Sequence, residues 1–517
     1  MKQLTRFLVG LMLALIWNAC DHELDFVPAQ PEDLSFSRDT VYLDTVFTNI
    51  GSATYNLRVY NKSSENILIE RVRLGQGSDS KFRLNVDGLS GQEFEDIELL
   101  AKDSMYVFVE TTVDIQDYTQ EAKEFLYEDK LFFNNQSVDL VTLVKDAIFL
   151  YPEIDDQGIK EFIPIGEDED GNPIGIEGFY LDDDELIFSN DVPYVIYGYA
   201  GVPSGKTAVF EAGARVHFHE NSGLIAAPES SVHVLGTPSV DAELMENEVI
   251  FEGDRLEPFF ENIPGQWGTL WLTQGSTNHI FRHATIKNAT VGILLIEDHN
   301  NGGDQPTLLL EQTQIHNSSS VGLWAKTAHI EAKNSIFGNA GNLSFYGNYG
   351  GQYDFTHCTF ANYWNRSFRN TPAVALDDFI PISETEILVE PLEKANFNNC
   401  IIDGNQRVEF LVIQEGETPL NFTLNHTSIR FDTVDQSILS NAYFDFEDST
   451  YYNTVFQNIK TSFKNPQQND FRPTQESEVI NKGDKTIAEL VSADITGVNR
   501  VESPDLGAYQ HQVFEED

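Results

Sequence analysis

The sequence predicts an all-β protein: an N-terminal β-sandwich followed by a right-handed parallel β-helix. Three observations predict it. An eight-residue pattern, first met as Phe281-Arg282-His283-Ala284-Thr285-Ile286-Lys287-Asn288, occurs seven times. The last residues of the copies, Asn288, Asn317, Asn339, Asn362, Gly404, Phe431 and Asn458, stand 29, 22, 23, 42, 27 and 27 apart. Ahead of these copies lie short alternating strands, and no long helical stripe follows the N-terminus.

Each copy runs from an apolar residue through a spacer to Asn, His or Gln, then a small residue, a spacer, and Ile or Phe. The small residue and the Ile or Phe are two apart, so both face one side of a strand. Stacked copies make an interior ladder of Ala284, Thr313, Ser335, Cys358, Cys400, Thr427 and Thr454. Beside it runs Ile286, Ile315, Phe337, Phe360, Ile402, Ile429 and Phe456. Periods of this length with one apolar strand per copy mark a solenoid, in which each coil packs on its neighbours. The flanking Asn, His and Gln fall where the chain must bend, and Asn tolerates the left-handed conformation bends require.

In chain order, residues 1–20 read as a signal peptide. Lys2 and Arg6 precede the apolar run Phe7 to Trp17, which is too short for a stable membrane span. The run ends at Ala19-Cys20 before acidic residues. That junction resembles a lipoprotein signal cleaved before a lipidated Cys20, and implies an outer-membrane protein anchored by lipid. Residues 21–33, with Pro28 and Pro31, form a tether. Residues 34–149 carry strands such as Val41–Phe47, Thr54–Asn61, Phe82–Val86, Met105–Glu110 and Val138–Val144, spaced as in a sandwich. Residues 150–192 are an acidic connector. Within it Asp168, Asp170 and Asn172 flank a Gly turn, and hard oxygen ligands in that setting would take calcium; no other cofactor is expected. Residues 193–512 are the β-helix and its closing segment.

The Gly51-Ser52…Leu57-Arg58-Val59-Tyr60-Asn61 stretch resembles immunoglobulin-like modules of secreted bacterial proteins. Gly265-Gln266-Trp267-Gly268-Thr269-Leu270-Trp271, the repeats, and the ending resemble bacterial surface lipoproteins carrying a right-handed parallel β-helix. The ending comprises Asp470-Phe471-Arg472-Pro473, Val479-Ile480-Asn481-Lys482-Gly483, Asp494…Arg500 and Pro504-Asp505-Leu506-Gly507-Ala508-Tyr509. The resemblance speaks for fold, which hosts lyases, hydrolases, adhesins and scaffolds alike.

A net charge of −50 excludes nucleic acid as a partner and disfavours anionic polysaccharides unless cations bridge. Cys358 and Cys400 share the small interior position of successive copies, as buried thiols or, where geometry allows, a disulfide. The longest interval, Tyr363 to Lys394, is an insertion. Around it cluster Tyr346, Tyr349, Tyr353, Tyr363 and Trp364, with Arg366 and Arg369. Aromatic faces beside polar groups suit sugar rings, so the expected function is binding or scaffolding, with glycans as the ligand. A polysaccharide lyase is the first alternative, with Arg366, Arg369 and His357 supplying cation and base. Hydrolysis would need the acids Asp377, Asp378 and Asp403. A protein-binding adhesin is the second alternative.

Overall fold

The computed structural model describes residues 25–514, apart from 120–121, 169, 242–243, 298–304, 384 and 434. The signal segment and Cys20 lie outside the described residues. The chain divides between Asp146 and Ala147 into two compact units.

The first unit is an immunoglobulin-like sandwich. One sheet holds Thr40–Phe47, Ile67–Leu74, Glu93–Leu99, Glu124–Phe133 and Gln136–Lys145; the other holds Tyr55–Asn61, Phe82–Val86 and Ser104–Thr111. Strict alternation drives the burial. Val138, Leu140, Thr142 and Val144 point inward from the strand Gln136–Lys145 and are fully buried, the Thr142 hydroxyl donating to Asp44 O at 3.0 Å, while Ser137, Asp139 and Lys145 lie on the other face. Three of these strands, Ile67–Leu74, Glu93–Leu99 and Glu124–Phe133, carry enough charge on their outer faces to hide them from a hydropathy reading. Their inward residues Ile69, Val72, Ile97, Leu131 and Phe133 complete the core.

The second unit is a parallel β-helix of three strand stacks. Each coil lays one strand on a ten-stranded sheet, then two on a nineteen-stranded sheet that bends between them. Residues 199–218 show the order in one coil: Tyr199–Val202, Thr207–Glu211, Arg215–Phe218. The bend sits at the flanking polar position of the repeat. His283, Gln312, Asn334, His357, Asn399 and His426 all adopt positive φ, between 42° and 53°. The left-handed turn interrupts the ladder and leaves a carbonyl of the preceding coil unpaired. The next small residue reaches back to it. Thr313 Oγ1 donates to Phe281 O at 3.1 Å, Cys358 Sγ to Ala332 O at 3.5 Å and Thr427 Oγ1 to Phe397 O at 2.9 Å. Thr and Cys at the interior position thus bond the preceding coil, whereas Ser335 donates to Lys333 O of its own coil and Ala284 has no side-chain donor to give. Cys358 and Cys400 are buried free thiols, and burial pushes the Cys400 thiol well up.

The aliphatic and aromatic ladder is in register from Phe251 through Ile286, Ile315, Phe337, Phe360 and Ile402 to Ile429. Phe337 and Phe360 stack at 4.8 Å with planes 10° apart. Each such ring removed from water contributes about 1.5–3 kcal/mol. The seventh copy departs from expectation. Thr427 pairs with Val455 and Ile429 with Gln457, so Thr454 is the left-handed corner residue (φ 60°) and is exposed, and Phe456 is half-buried. The register slips by one because the core ends there. Phe422, Phe431, Tyr443, Phe444, Phe446, Tyr451 and Tyr452 close the barrel as an aromatic plug.

Residues 150–192 are not a connector. Ile148–Leu150 and Ile187–Phe188 pair in parallel with later coils, and Phe162–Glu167 with Pro173–Tyr180 forms a hairpin whose second strand joins the ten-stranded sheet. This is the first coil. Asp155, Asp156, Asp168, Asp170, Asp182, Asp183 and Asp184 are exposed, whereas Ile163, Phe179, Leu181, Leu186 and Phe188 are buried.

His279 is buried at 1% exposure; its Nδ1 accepts from Val232 N at 3.1 Å and its Nε2 lies 3.0 Å from Ser276 Oγ. Burial drives its pKa down to about 3. The unfolded ring takes a proton below pH about 6.5 and the folded one does not. This residue therefore removes about 1.4 kcal/mol of stability for each pH unit below 6.5, until the folded value is reached. Denaturant titrations at pH 7 and pH 5 on the native chain and on His279→Gln should differ in that slope. Equal slopes would contradict the assignment.

Candidate functional site

One outer face of the β-helix carries an unusual surface. On the ten-stranded sheet the inward positions are Phe179, Ala200, Leu224, Leu270, Ile293, Leu323 and Phe345, all buried. Their outward neighbours stand in one continuous register: Tyr180, Gly201, Ile225, Trp271, Leu294, Trp324, Tyr346, Ala375, Leu411. An outward column would ordinarily be polar; this one is aromatic and aliphatic. Gly201 lets the Tyr180 ring lie on the sheet, since a Cβ there would fall 2.8 Å from Tyr180 Cδ1.

Toward the first coil the column opens into a groove of about 310 Å³. It lies between the hairpin strand of Ile163 and Ile165 and the sheet, and is lined by Tyr180, Ile225, Pro228, Trp271 and Ile296, with Thr273 and Gln274 as its polar groups. The Trp271 indole N–H is buried and has no partner among the described residues, so Trp271 offers the groove its ring and not its N–H. The Trp324 indole N–H is likewise buried without a partner among the described residues, and its ring has two neighbours. Tyr346 stacks on it at 5.8 Å and Lys326 Nζ lies 4.9 Å from its ring. Tyr346 in turn donates to Asp377 at 2.7 Å, and Asp377 accepts from Asn348 Nδ2 and Tyr349 N at 2.8 Å. Burial raises the pKa of both Tyr346 and Asp377.

The aromatic cluster expected around the insertion is dispersed. Tyr346 stands in the outward column, and Tyr349 meets the same Asp377 through its backbone N–H. Tyr353 is a core residue, fully buried between Phe345 and Phe355, its hydroxyl donating to Gly350 O at 2.7 Å. Trp364 is buried and donates to Ser367 Oγ at 2.8 Å. Tyr363 donates to Asp403 at 3.0 Å and packs edge-on against Phe463. Arg369 is buried in an ion pair with Glu409, and only Arg366 is exposed. These side chains were drawn inward because the corner between coils, not the solvent, needs their bulk and donors. The insertion itself is smaller than expected, since Val374–Asp377 is a regular rung of the ten-stranded sheet.

The lyase set does not assemble either. His357 is buried, with Asn399 Nδ2 at 3.0 Å from its Nε2 and Arg500 against Nδ1. Burial and the Arg500 charge hold its pKa well down. Asp378 accepts from Glu415 N and Gly416 N, and Asp403 from Gly404 N and Tyr363. At the hairpin tip, Asp168 Oδ1 accepts from Asp170 N and Asn172 N, and Oδ2 from Asn172 Nδ2. Those bonds hold its pKa down, the Asn172 side chain foremost. Asp168 thus caps its own turn, and among the described residues no cluster of three or more His, Cys, Asp or Glu could hold a metal.

Trp271, Trp324 and Tyr180 were missed from sequence. A signal existed: Thr269, Gly292, Gly322 and Ser344 each precede Trp271, Leu294, Trp324 and Tyr346 by two residues, a small-then-large outward pair once per coil.

No protein-family model matches the chain, and no curated protein matches it. Among solved structures, a crystal structure of the periplasmic chaperone SfaE is similar at 14% identity and TM-score 0.14, over 22% of this chain. The chain spans 57% of the length of that chaperone. The ASH/PapD-like domain 7 of human CEP192 is similar at 8% identity and TM-score 0.14, covering 25% of this chain and 96% of that one. No helix among the described residues is long and apolar enough to cross a membrane.

Proposed function

We propose that this chain is a binding or scaffolding lipoprotein of the outer membrane, anchored through Cys20, whose β-helix holds a glycan on the outer face of the ten-stranded sheet. The observation that carries the reading is the groove at Tyr180 and Trp271. It joins the aromatic wall of Tyr180 and Trp271 with two polar side chains, Thr273 and Gln274, the combination that a sugar's apolar face and hydroxyls match. A surface of net charge −50 favours neutral saccharides over uronates.

The test titrates the full chain with neutral glucans, xylans and mannans and with pectate and alginate, with and without calcium, reading tryptophan fluorescence and ultraviolet absorbance together. A neutral polysaccharide should change the fluorescence, and Trp271→Ala should weaken its binding about tenfold, equivalent to about 1.4 kcal/mol, at an unchanged melting temperature. New absorbance from unsaturated products would instead establish a lyase. No response to any saccharide would leave protein adhesion as the better reading.

A further inference from the structure

Asp377 and Asp378 root a small arm. After Asp377 the chain leaves the sheet as Phe379–Pro381 and returns as Ile387–Val389, an antiparallel pair that makes its own two-stranded sheet. The root is bolted down. Asp378 accepts from Glu415 N at 2.8 Å and Gly416 N at 2.9 Å, Asp378 O accepts from Glu390 N at 2.8 Å, and Asn348 Nδ2 donates to Phe379 O at 3.1 Å. Both carboxylates are buried, so the arm is carried rigidly.

Its two edges are unlike. Glu390 N bonds to Asp378 O and Ile382 N to Glu386 O. By the two-residue alternation of an antiparallel ladder, Ile380 and Leu388 form the hydrogen-bonded pair between them. Pro381 on one strand, and Ile387 and Val389 on the other, therefore direct their backbone outward. Pro381 has no N–H and blunts its edge. Ile387 and Val389 keep both groups, which have no partner among the described residues. Ile387, Leu388 and Val389 are 40%, 43% and 40% exposed. An open edge with apolar side chains on both faces is a template for an added strand. Glu386, Glu415 and Glu417 are exposed nearby, and a second copy of a chain with net charge −50 would be repelled. The occupant must bring positive charge.

We propose that the edge Ile387–Val389 accepts an extended, net basic polypeptide as the third strand of this sheet. The probe is a fluorescein-labelled hexapeptide of alternating Lys and Val, titrated with the full chain by anisotropy, beside its Glu–Val counterpart. The Lys peptide should bind and the Glu peptide should not. Raising salt from about 20 to about 200 mM should weaken binding several-fold. Ile387→Pro removes one outward donor and leaves the hairpin's own ladder intact; it should weaken binding about tenfold. The Lys peptide N-methylated at alternate residues should lose as much on the unaltered chain. Equal affinity of the N-methylated peptide, of the Glu peptide, or of a folded Ile387→Pro chain would overturn the proposal. So would sedimentation showing that the edge pairs two copies of the chain.

Discussion

Arg369→Ala is expected to destabilise the β-helix by about 3–5 kcal/mol, the cost of leaving a buried charge without its partner. Arg369 and Glu409 side chains are 1% and 0% exposed. The guanidinium meets both Glu409 oxygens, at 3.0 and 2.7 Å. It also donates to Thr371 O, Asn362 O and Asn405 Oδ1 at 2.6–2.7 Å, tying the same corner of two successive coils together. Burial already raises the Glu409 pKa, and without Arg369 only protonation would relieve that carboxylate. The double change Arg369→Met with Glu409→Leu should recover much of the loss, because an apolar pair of similar volume carries no desolvation penalty. Equilibrium urea unfolding of the native chain and the two variants decides it. A loss below about 1 kcal/mol for Arg369→Ala would place the pair among weakly coupled surface bridges.

The second large effect is expected at Arg500. Residues beyond Ile459 do not add coils; they turn back along the nineteen-stranded sheet. There Phe471, Val479, Ile495, Leu506 and Ala508 cover the outward side chains Ile336 and Ile401. Arg500, 1% exposed, ties this strap to itself through Gly507 O and Ala508 O, both at 2.9 Å, and to the coils through His357. Burial lowers the Arg500 pKa to about 10. The corner residues Asn334, Asn339 and Asn399 donate to Ala493 O, Pro466 O and Asp484 O. Arg500→Leu should release the strap, leaving two buried carbonyls unpaired at about 1–3 kcal/mol each. Limited proteolysis should then remove the C-terminal segment, and dye binding should report the apolar face beneath. Protease resistance equal to that of the native chain would show that the apolar contacts alone hold it.

The same corners show how far sequence reasoning reached. The repeat identified the bend positions and the two interior ladders, since a strand's two-residue period and a left-handed preference are local properties written in single residues. It also placed the flanking Asn and His residues where the chain bends, but could not see that these side chains are latches for a strap 85 to 159 residues away. The aromatic cluster failed for a related reason. Tyr353 and Tyr346 lie seven residues apart, an odd number, so alternation turns Tyr353 to the core and Tyr346 to the outer face, and a cluster drawn by closeness in sequence mixes the two faces.

The candidate site followed the same division. Trp271, Trp324 and Tyr346 are separated by 53 and 22 residues and become one surface only through the parallel register of the coils. By itself the sequence determined the all-β class, the solenoid's period, the composition of its core and the charge of its surface. These depend on residue type and spacing within one strand. Only the tertiary structure decided which outward residues align, which carboxylates are absorbed at the roots of loops, and which sheet edge is left open. Those depend on how successive coils are registered and on where the chain's end folds back.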